Sequence, residues 1–446
     1  MKVNRVLSLV FGATTGVTLH EFVVGKGYKQ LWKRDIPWVT VESVYLLWPM
    51  DWLENLLDEV KAMATPGTVI APAMWGADVV HLNPSNETIV SPVLHYRSIP
   101  SEFAEDLIKE SGIPKYEWSW LMGHVHPAFY QMALSSRFWR QCSRRPLYPL
   151  RVVPLADWMT LMLTRQKGHD QVMLHNQGAG VSTSKLINTW VNRAYQSDFA
   201  PIWPLFSPDE LLEIGKDIWV VPCTHDSPLS RSVLASTGLP WGLWTGSWYG
   251  VFRQVASGDG ITPNVNTFNA GLVSEAMPNN GSSAISNIGM HGLLYKALMK
   301  VNGAMSYEEA ARLVLNQIPN VTAGYSDDQL AMDPEEFAKR TIKGTGNLGL
   351  ALYAMVNTIA MKCQEGLMKA ANALGVEMPS TVAITGGFAE NPAILQALET
   401  HGIKAVVPPF AGLATQAGAA AEALRRAGLA KTTAEALKMF SEVELV

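Results

Sequence analysis

The chain has 446 residues, which is too many for one compact core and suits two domains of about 200 residues each. Hydrophobic residues make up 48% of the chain and charged residues 17%, so an intrinsically disordered protein is excluded. The net charge of −4 provides no basic field for a phosphate backbone or an anionic lipid surface, so we expect neither nucleic acid nor membrane as a partner.

The cysteines and the apolar runs indicate a cytoplasmic protein. Cys142, Cys223 and Cys363 are widely spaced and form no CxxC pair, which is typical of a reducing compartment. The short apolar run near the N-terminus is not followed by a small-x-small cleavage site, so we expect no secretion signal. The longest apolar run, residues 348–361, is shorter than a membrane span and predicts a buried helix.

The first predicted element is a β-hairpin. An apolar strand over residues 6–10 and a second strand over 17–24 flank the turn Gly12-Ala13-Thr14-Thr15-Gly16. Apolar residues with helical spacing follow over 51–63, and residues 68–73 have the pattern of a buried strand. Strands that alternate with helices predict a layered α/β domain.

The middle of the chain repeats this opening plan. Ser207-Pro208-Asp209-Glu210 has the pattern of a helix start, and an apolar strand over 218–222 leads into Thr224-His225-Asp226-Ser227. Residues 241–252 then form an apolar strand, the turn Thr245-Gly246-Ser247 and another apolar strand. Two such hairpins, about 230 residues apart, suggest two similar domains.

The second half is rich in predicted helices. Capping boxes begin at Ser306, Asp333 and Thr432. Between the last two, a strand over 381–385 runs into Gly386-Gly387 and is followed by a helix (392–398), a strand (405–407) and a helix (412–427). This βαβα unit places a glycine pair at the carboxyl end of a strand, a usual position for a ligand.

The glycine-rich turns are candidate phosphate sites, because backbone N–H groups in such turns converge on an anion. The alternative for residues 12–16 and 245–247 is a plain hairpin turn without a ligand. Gly386-Gly387 would allow a ribose or an adenine to approach the backbone closely. Tight packing of a helix on a strand explains the same glycine pair equally well.

Two segments carry side chains suited to sugar chemistry. Asp226 follows a predicted strand, where a carboxylate would accept the proton of an attacking hydroxyl; its alternative role is the N-cap of the next helix. Trp75-Gly76-Ala77-Asp78 combines an aromatic face with a carboxylate, and its alternative is a turn beside a core tryptophan. His124 and His126 lack a third ligand at a supporting spacing, so no metal site is predicted.

Taken in order, these motifs resemble the FGGY carbohydrate kinases, and most closely their rhamnulokinase-like branch. The resemblance covers nearly the whole chain, through segments 12–16, 75–78 with 93–97, 224–227, 245–248, 287–288 and 385–392. It implies an α/β fold with two ribonuclease-H-like domains of the actin and sugar-kinase superfamily around a central cleft. Residues 1–222 would form the N-terminal sugar-binding domain with the first phosphate turn, and residues 223–446 the C-terminal nucleotide-binding domain.

The resemblance also implies an activity and a set of site residues. An ATP-dependent kinase would transfer the γ-phosphate to a hydroxyl of a ketose-type sugar, such as L-rhamnulose or a related ketose or sugar acid, with Asp226 as general base and ATP and Mg²⁺ as cofactors. The sugar would contact Gly76, Asp78, His225, Ser227 and Asn287. The nucleotide would contact Gly12, Ala13, Thr14, Thr15, Gly16, Gly246, Ser247, Gly386 and Gly387. We expect a homodimer, and closure of the two halves about residues 222–226 and 425–430.

Three positions depart from the family pattern. Val10 stands where the family has the aspartate that helps to organise the metal, and Val17 stands where a basic residue commonly closes the turn. Each of these losses would cost on the order of a hundredfold in rate. Phe388 replaces the third glycine of the adenosine motif, where it would crowd or restack the base.

These departures support a second interpretation, a degenerate FGGY-fold protein that binds sugar or nucleotide as a regulator without phosphoryl transfer. A third, an ATPase or chaperone module of the same superfamily, is disfavoured by the sugar-side residues.

Overall fold

A computed structural model of the chain describes residues 2–12, 16–43, 45–98, 151–174, 203–246, 249–255, 264–278, 281–289, 291–301, 305–317 and 324–445, and positions 105, 106, 109, 112, 114 and 303. Among the predicted site residues, Ala13, Thr14, Thr15 and Ser247 lie outside the described residues, as do His124 and His126. Asn287 is described only by its backbone, as part of a strand.

Seventeen strands are described, and most of them belong to two large sheets. The strands are β1 (Arg5–Gly12), β2 (Gly16–Val23), β3 (Gly27–Arg34), β4 (Val39–Val41), β5 (Tyr45–Leu47), β6 (Thr68–Met74), β7 (Val79–Leu82), β8 (Arg151–Pro154), β9 (Leu212–Gly215), β10 (Ile218–Val220), β11 (Thr224–His225), β12 (Trp241–Thr245), β13 (Tyr249–Val255), β14 (Leu272–Met277), β15 (Gly281–Gly289), β16 (Thr381–Thr385) and β17 (Lys404–Val406).

The two large sheets share one topology. The first has the order β3-β2-β1-β6-β10-β9, with β11 also paired to β6, and the second has the order β14-β15-β13-β12-β16-β17. In each sheet, two consecutive strands form an antiparallel hairpin. The second strand of the hairpin pairs antiparallel with a third strand, and the first strand of the hairpin pairs in parallel with a later strand. The prediction of two similar domains of the ribonuclease-H-like class is therefore confirmed.

The helices lie mainly on the faces of these sheets. They are α1 (Met50–Ala62), α2 (Leu155–Thr164), α3 (Gln171–Leu174), α4 (Asp226–Ala235), α5 (Val265–Asn269), α6 (His291–Lys300), α7 (Tyr307–Leu315), α8 (Asp327–Leu330), α9 (Pro334–Thr345), α10 (Leu348–Leu374), α11 (Pro392–Thr400), α12 (Ala414–Arg426) and α13 (Thr433–Leu437), with 3₁₀ turns at Tyr96–Ser98 and Ala411–Leu413. Over the part of the chain that is described, no helix has the length and apolar character needed to cross a bilayer.

Separate hydrophobic cores cover the outer faces of the two sheets. Helices α1 and α2 pack in the core of the first sheet, and the buried helix α10 runs through the core of the second. Two helices occupy the space between the sheets. Helix α4 packs on β12, β14 and β16, and the alanine-rich helix α12 packs on α4, β1 and β6. The lobes are therefore joined through a pair of closely packed helices.

One predicted helix is absent. Residues 208–209 form a turn, and the chain continues into β9, which pairs antiparallel with β10. The local capping bond does form, since the Ser207 N–H donates to Glu210 Oε2 at 2.8 Å. However, strand pairing from Leu212 onward prevents the turn from extending into a helix. The C-terminal helix predicted over 412–427 begins slightly later, at Ala414.

Candidate active site

Asp226 lies where the first sheet meets the helices between the lobes. The short strand β11 pairs in parallel with the end of β6, with His225 opposite Met74. Asp226 is the first residue of α4, and its side chain is 22% exposed. The carboxyl end of a parallel strand is a usual position for a reactive group. The same pairing brings Gly76, just beyond β6, to this end of the sheet.

The two oxygens of the Asp226 carboxylate have different surroundings. Oδ1 accepts a 2.8 Å hydrogen bond from the Ser227 N–H and a 3.3 Å bond from Ser227 Oγ, and it lies 3.2 Å from His225 Nε2. Oδ2 makes no hydrogen bond with any residue that the structure describes. Because its carboxylate contacts the next N–H rather than those of the following turn, Asp226 does not act as an N-cap. Among the described residues, therefore, Ser227 holds one oxygen in place and none engages the other, which could act on a substrate.

The His225 ring lies next to a buried ion pair, formed by Arg231 of α4 and Glu275 of β14. Its Nδ1 lies 3.3 Å from Glu275 Oε1, and Glu275 is in direct contact with the guanidinium of Arg231. All three side chains are buried. Burial lowers the pKa of His225 to about 4, although the charge of Asp226 opposes the shift, so the ring is neutral near pH 7. A neutral imidazole carries a single N–H, which it can direct either to Asp226 or to Glu275.

A second buried carboxylate fixes the strand that carries this site. Asp170 Oδ1 accepts hydrogen bonds from Thr224 Oγ1 at 2.7 Å and from the Met173 N–H at 3.0 Å. Its Oδ2 lies 3.3 Å from a guanidinium nitrogen of Arg426 on α12. Burial raises the pKa of Asp170, and the positive charge of Arg426 opposes the shift. These contacts tie β11 to α12 immediately before Asp226.

The predicted sugar-side segment forms part of an aromatic cluster. The Trp75 ring stacks on Trp48 with a centroid separation of 5.3 Å and lies 5.6 Å from His95. Asp78 is buried, and its oxygens accept hydrogen bonds from Trp48 Nε1 at 2.5 Å and from the Tyr96 N–H at 2.8 Å. Asp78 therefore holds this cluster in position near the end of β6.

The predicted phosphate turns lie at strand ends. Gly12 and Gly16 pair with each other where β1 and β2 meet, and Gly16 has a φ of +73°. Gly246 follows β12 directly, and Gly386-Gly387 follows the neighbouring parallel strand β16. Asn287 lies on β15 opposite Gly250, in the strand beside the β12–β13 hairpin that carries Gly246.

The three departures from the family pattern are all buried side chains. Val10 packs in the core between the first sheet and α12, and Val17 lies in the core of the first sheet. The Phe388 ring points into the second lobe, where it packs against Tyr249, Tyr295 and Tyr307 at centroid separations of 5.7, 5.1 and 5.2 Å. Phe388 is 1% exposed, so its ring has no open face on which a base could stack.

The described residues fit a nucleotide better than a protein-held metal. Gly387 is exposed, and no atom would lie within 4 Å of a Cβ added there, so the backbone at the end of β16 is open to a phosphate or a ribose. Within the described ranges, no group of three or more metal-ligating side chains is assembled, and Val10 supplies no ligand.

Two lobes with ribonuclease-H-like sheets, joined through α4 and α12 beside Asp226, define a fold found among sugar kinases. No family model and no curated protein matches the sequence. Solved structures do match the fold. A glycerol kinase from Plasmodium falciparum with ADP has a TM-score of 0.70 at 13% identity, covering 99% of this chain and 94% of that one. A ligand-bound xylulose kinase from Lactobacillus acidophilus has a TM-score of 0.69 at 11% identity, with coverage of 98% and 92%.

A third solved structure is similar to the same extent. The gluconate kinase from Lactobacillus acidophilus has a TM-score of 0.68 at 10% identity, and the match covers 98% of this chain and 92% of that chain. Identities this low establish the fold alone. The match extends along nearly the full length of each chain, so both lobes share the architecture.

Sequence reasoning found Asp226 but missed two residues behind it. Arg231 lies one turn further along α4, and Glu275 reaches the cluster from β14. Neither position carries a motif. The one available signal was a pair of opposite charges within segments that are otherwise apolar, which indicates a buried ion pair without identifying its partners.

Proposed function

We propose that the chain is an ATP-dependent carbohydrate kinase that transfers the γ-phosphoryl group to a hydroxyl of a ketose-type sugar, L-rhamnulose or a related ketose or sugar acid. The observation that carries the proposal is the Asp226 carboxylate at the carboxyl end of a strand, where Ser227 holds Oδ1 and no described residue hydrogen-bonds to Oδ2. The fold supports it, because three similar structures are sugar or polyol kinases.

Asp226 would act as the general base. Its Oδ2 accepts the proton of the sugar hydroxyl as that oxygen forms its new bond to phosphorus. Ser227 keeps the carboxylate from rotating, so that the lone pairs of Oδ2 keep one direction. The N-terminus of α4 favours negative charge on this first-turn residue. Positioning of this kind contributes more to phosphoryl transfer than covalent chemistry by the protein.

The nucleotide would lie against the glycine turns. ATP, when bound, supplies the phosphoryl group, and Mg²⁺ neutralises charge on its oxygens. The residues that would contact it are those of the first turn (12–16), Gly246 with Ser247, and Gly386 with Gly387. Gly76, Asp78, His225, Ser227 and Asn287 would contact or flank the sugar. We further propose domains of 1–222 and 223–446 in a cytoplasmic homodimer.

A specific observation favours a second candidate, a regulatory protein that binds sugar or nucleotide without turnover. Val10 and Val17 are buried in apolar cores, so neither position can supply a metal ligand or a counter-charge to a phosphate. Retention of Asp226, whose Oδ2 has no hydrogen-bond partner among the described residues, favours the kinase, because a protein that only binds has no use for a base.

The test is sugar-dependent ADP release from Mg-ATP over a panel of ketoses, deoxyketoses and sugar acids. Wild type is compared with Asp226→Asn and with the control Asp328→Asn, which changes an exposed carboxylate on α8. We expect wild type and control to turn over one sugar of the panel. The rate of ADP release should fall at least 100-fold in Asp226→Asn, in keeping with the contribution of a general base. Binding of sugar or nucleotide without turnover in any sample would establish the regulatory alternative.

We also propose that the lobes close about residues 222–226 and 425–430, where chain segments pass between them. Asp170 links these two segments, because it accepts a hydrogen bond from Thr224 and contacts Arg426. Small-angle scattering should show a smaller radius of gyration with sugar and nucleotide together than without them. An unchanged radius under saturating ligands would contradict closure.

A further inference from the structure

A second concave surface lies on the second lobe, between α6 and α9. It is a cavity of about 510 Å³, a volume within the range of small-molecule sites. None of the residues that line it belongs to the candidate active site. Its charged lining residues are Lys296, Lys300, Lys339 and Glu335, and its apolar lining includes Leu293 and Val301.

The charges in this cavity do not balance. Lys339 lies 3.8 Å from Glu335, and both side chains are strongly exposed, so this pair is weak. Lys296 and Lys300 form no ion pair with any residue that the structure describes. Lys296 is half-buried. The cavity therefore has an excess of two positive charges in a protein whose overall charge is negative.

The first lobe adds a further positive charge. Burial lowers the pKa of Lys296, and the charges of Lys33 and Lys300 lower it further. Lys33 is exposed and lies on β3, the edge strand of the first sheet, opposite Thr18 of β2. Like charges from Lys33 and Lys300 thus act on one half-buried amine, and Glu335 is the one carboxylate among the described residues that line the cavity. Such an arrangement is unfavourable without an anion and is relieved by one.

We propose that this cavity binds a small anion with at least two negative charges, of the phosphate-ester or polyphosphate class, at a site separate from Asp226. Ammonium groups bind phosphate oxygens as point charges, and the aliphatic stems of Lys296 and Lys300 leave room for a compact ligand. The apolar lining beside Leu293 and Val301 suits the carbon skeleton of a phosphorylated metabolite.

Calorimetric titration with inorganic tripolyphosphate, without Mg²⁺ or sugar, tests the site directly. Wild type is compared with Lys296→Gln/Lys300→Gln and with the control Lys343→Gln/Lys369→Gln, two lysines of the same lobe outside this cavity. We expect saturable binding by wild type, a loss of at least tenfold in affinity in the first double variant, and a change of less than twofold in the control. Glu335→Gln should bind more tightly, since it removes the one carboxylate that the described residues contribute to the cavity lining.

Melting temperatures show whether a variant that fails to bind is still folded. Because Lys296 and Lys300 repel each other in the free protein, their double variant should melt at the same temperature as wild type or higher. Absence of saturable binding by wild type would overturn the proposal. Equal affinity in wild type and Lys296→Gln/Lys300→Gln would also overturn it, because the probe would then be bound at the glycine turns. Neither result bears on the kinase proposal, which concerns Asp226.

Discussion

Thr245 Oγ1 donates a 2.7 Å hydrogen bond to the carbonyl oxygen of Thr385 and so joins the last residues of two parallel strands. The bond brings the turns after β12 and β16 side by side. A Cβ added to Gly386 would lie 2.0 Å from the carbonyl oxygen of Thr245, and Gly386 has a φ of +100°. Gly387 meets nothing within 4 Å. The two explanations of the glycine pair therefore divide between its members: Gly386 allows tight packing, and Gly387 leaves the backbone open to a ligand.

Substitution of these two glycines should give opposite results. Gly386→Ala should lower the free energy of unfolding by about 2 kcal/mol or more, because it adds a backbone clash to an unfavourable φ. Gly387→Ala should change it by less than about 0.5 kcal/mol and yet weaken ATP binding. Urea denaturation and nucleotide titration measure both effects. Equal destabilisation by the two variants would contradict this division of roles.

The close packing of α12 on α4 between the lobes requires a glycine at position 418. A Cβ at Gly418 of α12 would lie 2.3 Å from the carbonyl oxygen of Leu229 on α4. Gly418→Ala should therefore force the helices apart and cost about 1–3 kcal/mol of stability. The control is Gly344→Ala in α9, where no atom lies within 4 Å, and it should stabilise by about 0.5–1 kcal/mol. Urea denaturation gives the free energy of unfolding of both variants. If Gly418→Ala is as stable as wild type, the contact between α12 and α4 is not tight.

The Arg231–Glu275 pair behind His225 should behave as a buried ion pair. Glu275→Gln leaves a buried guanidinium without its counter-charge and should cost about 3–5 kcal/mol. Replacing both partners, as in Arg231→Met/Glu275→Gln, should recover most of that loss. Thermal and urea unfolding measure the stability. If the double variant is as unstable as Glu275→Gln, the cost does not come from the unpaired charge.

Stability should fall in mild acid because of buried histidines such as His81. Burial lowers the pKa of His81 from its ordinary 6.5 to about 4, and its Nδ1 lies 3.0 Å from Ser91 Oγ. Between these values the unfolded chain binds a proton that the folded chain does not. The contribution of His81 to the free energy of unfolding is therefore complete above pH 6.5 and is lost as the pH falls toward 4. His81→Asn should flatten the dependence of unfolding free energy on pH by up to about 1.4 kcal/mol per unit in this interval, and an unchanged slope would contradict it.

The elements that are predictable from sequence are those whose signal lies within the element itself. The hairpins over 6–24 and 241–252 and the helix after residue 347 follow from apolar periodicity and from turn residues, and each is observed. The failed helix at Ser207 has an equally good local signal. It fails because β9 pairs with β10, and that pairing depends on residues outside the motif.

The candidate site divides in the same way. Asp226 is predictable because the carboxyl end of a strand is a general location for chemistry. Glu275 is not, because its approach to His225 depends on how β14 of one lobe packs against α4. The buried hydrogen bonds of Asp78 are equally hidden, since they depend on Trp48 and Tyr96 from separate segments. A sequence motif identifies the group that reacts, and packing between distant segments determines how that group is held.

The most direct test of the central claim, phosphoryl transfer with Asp226 as base, is ³¹P NMR of the protein mixed with Mg-ATP and each sugar of the panel. We expect one sugar to yield a new phosphomonoester resonance in equal amount to ADP, and Asp226→Asn to yield none on the same timescale. If ATP and sugar bind but no phosphomonoester forms, or if it forms equally fast with Asp226→Asn, the claim is contradicted.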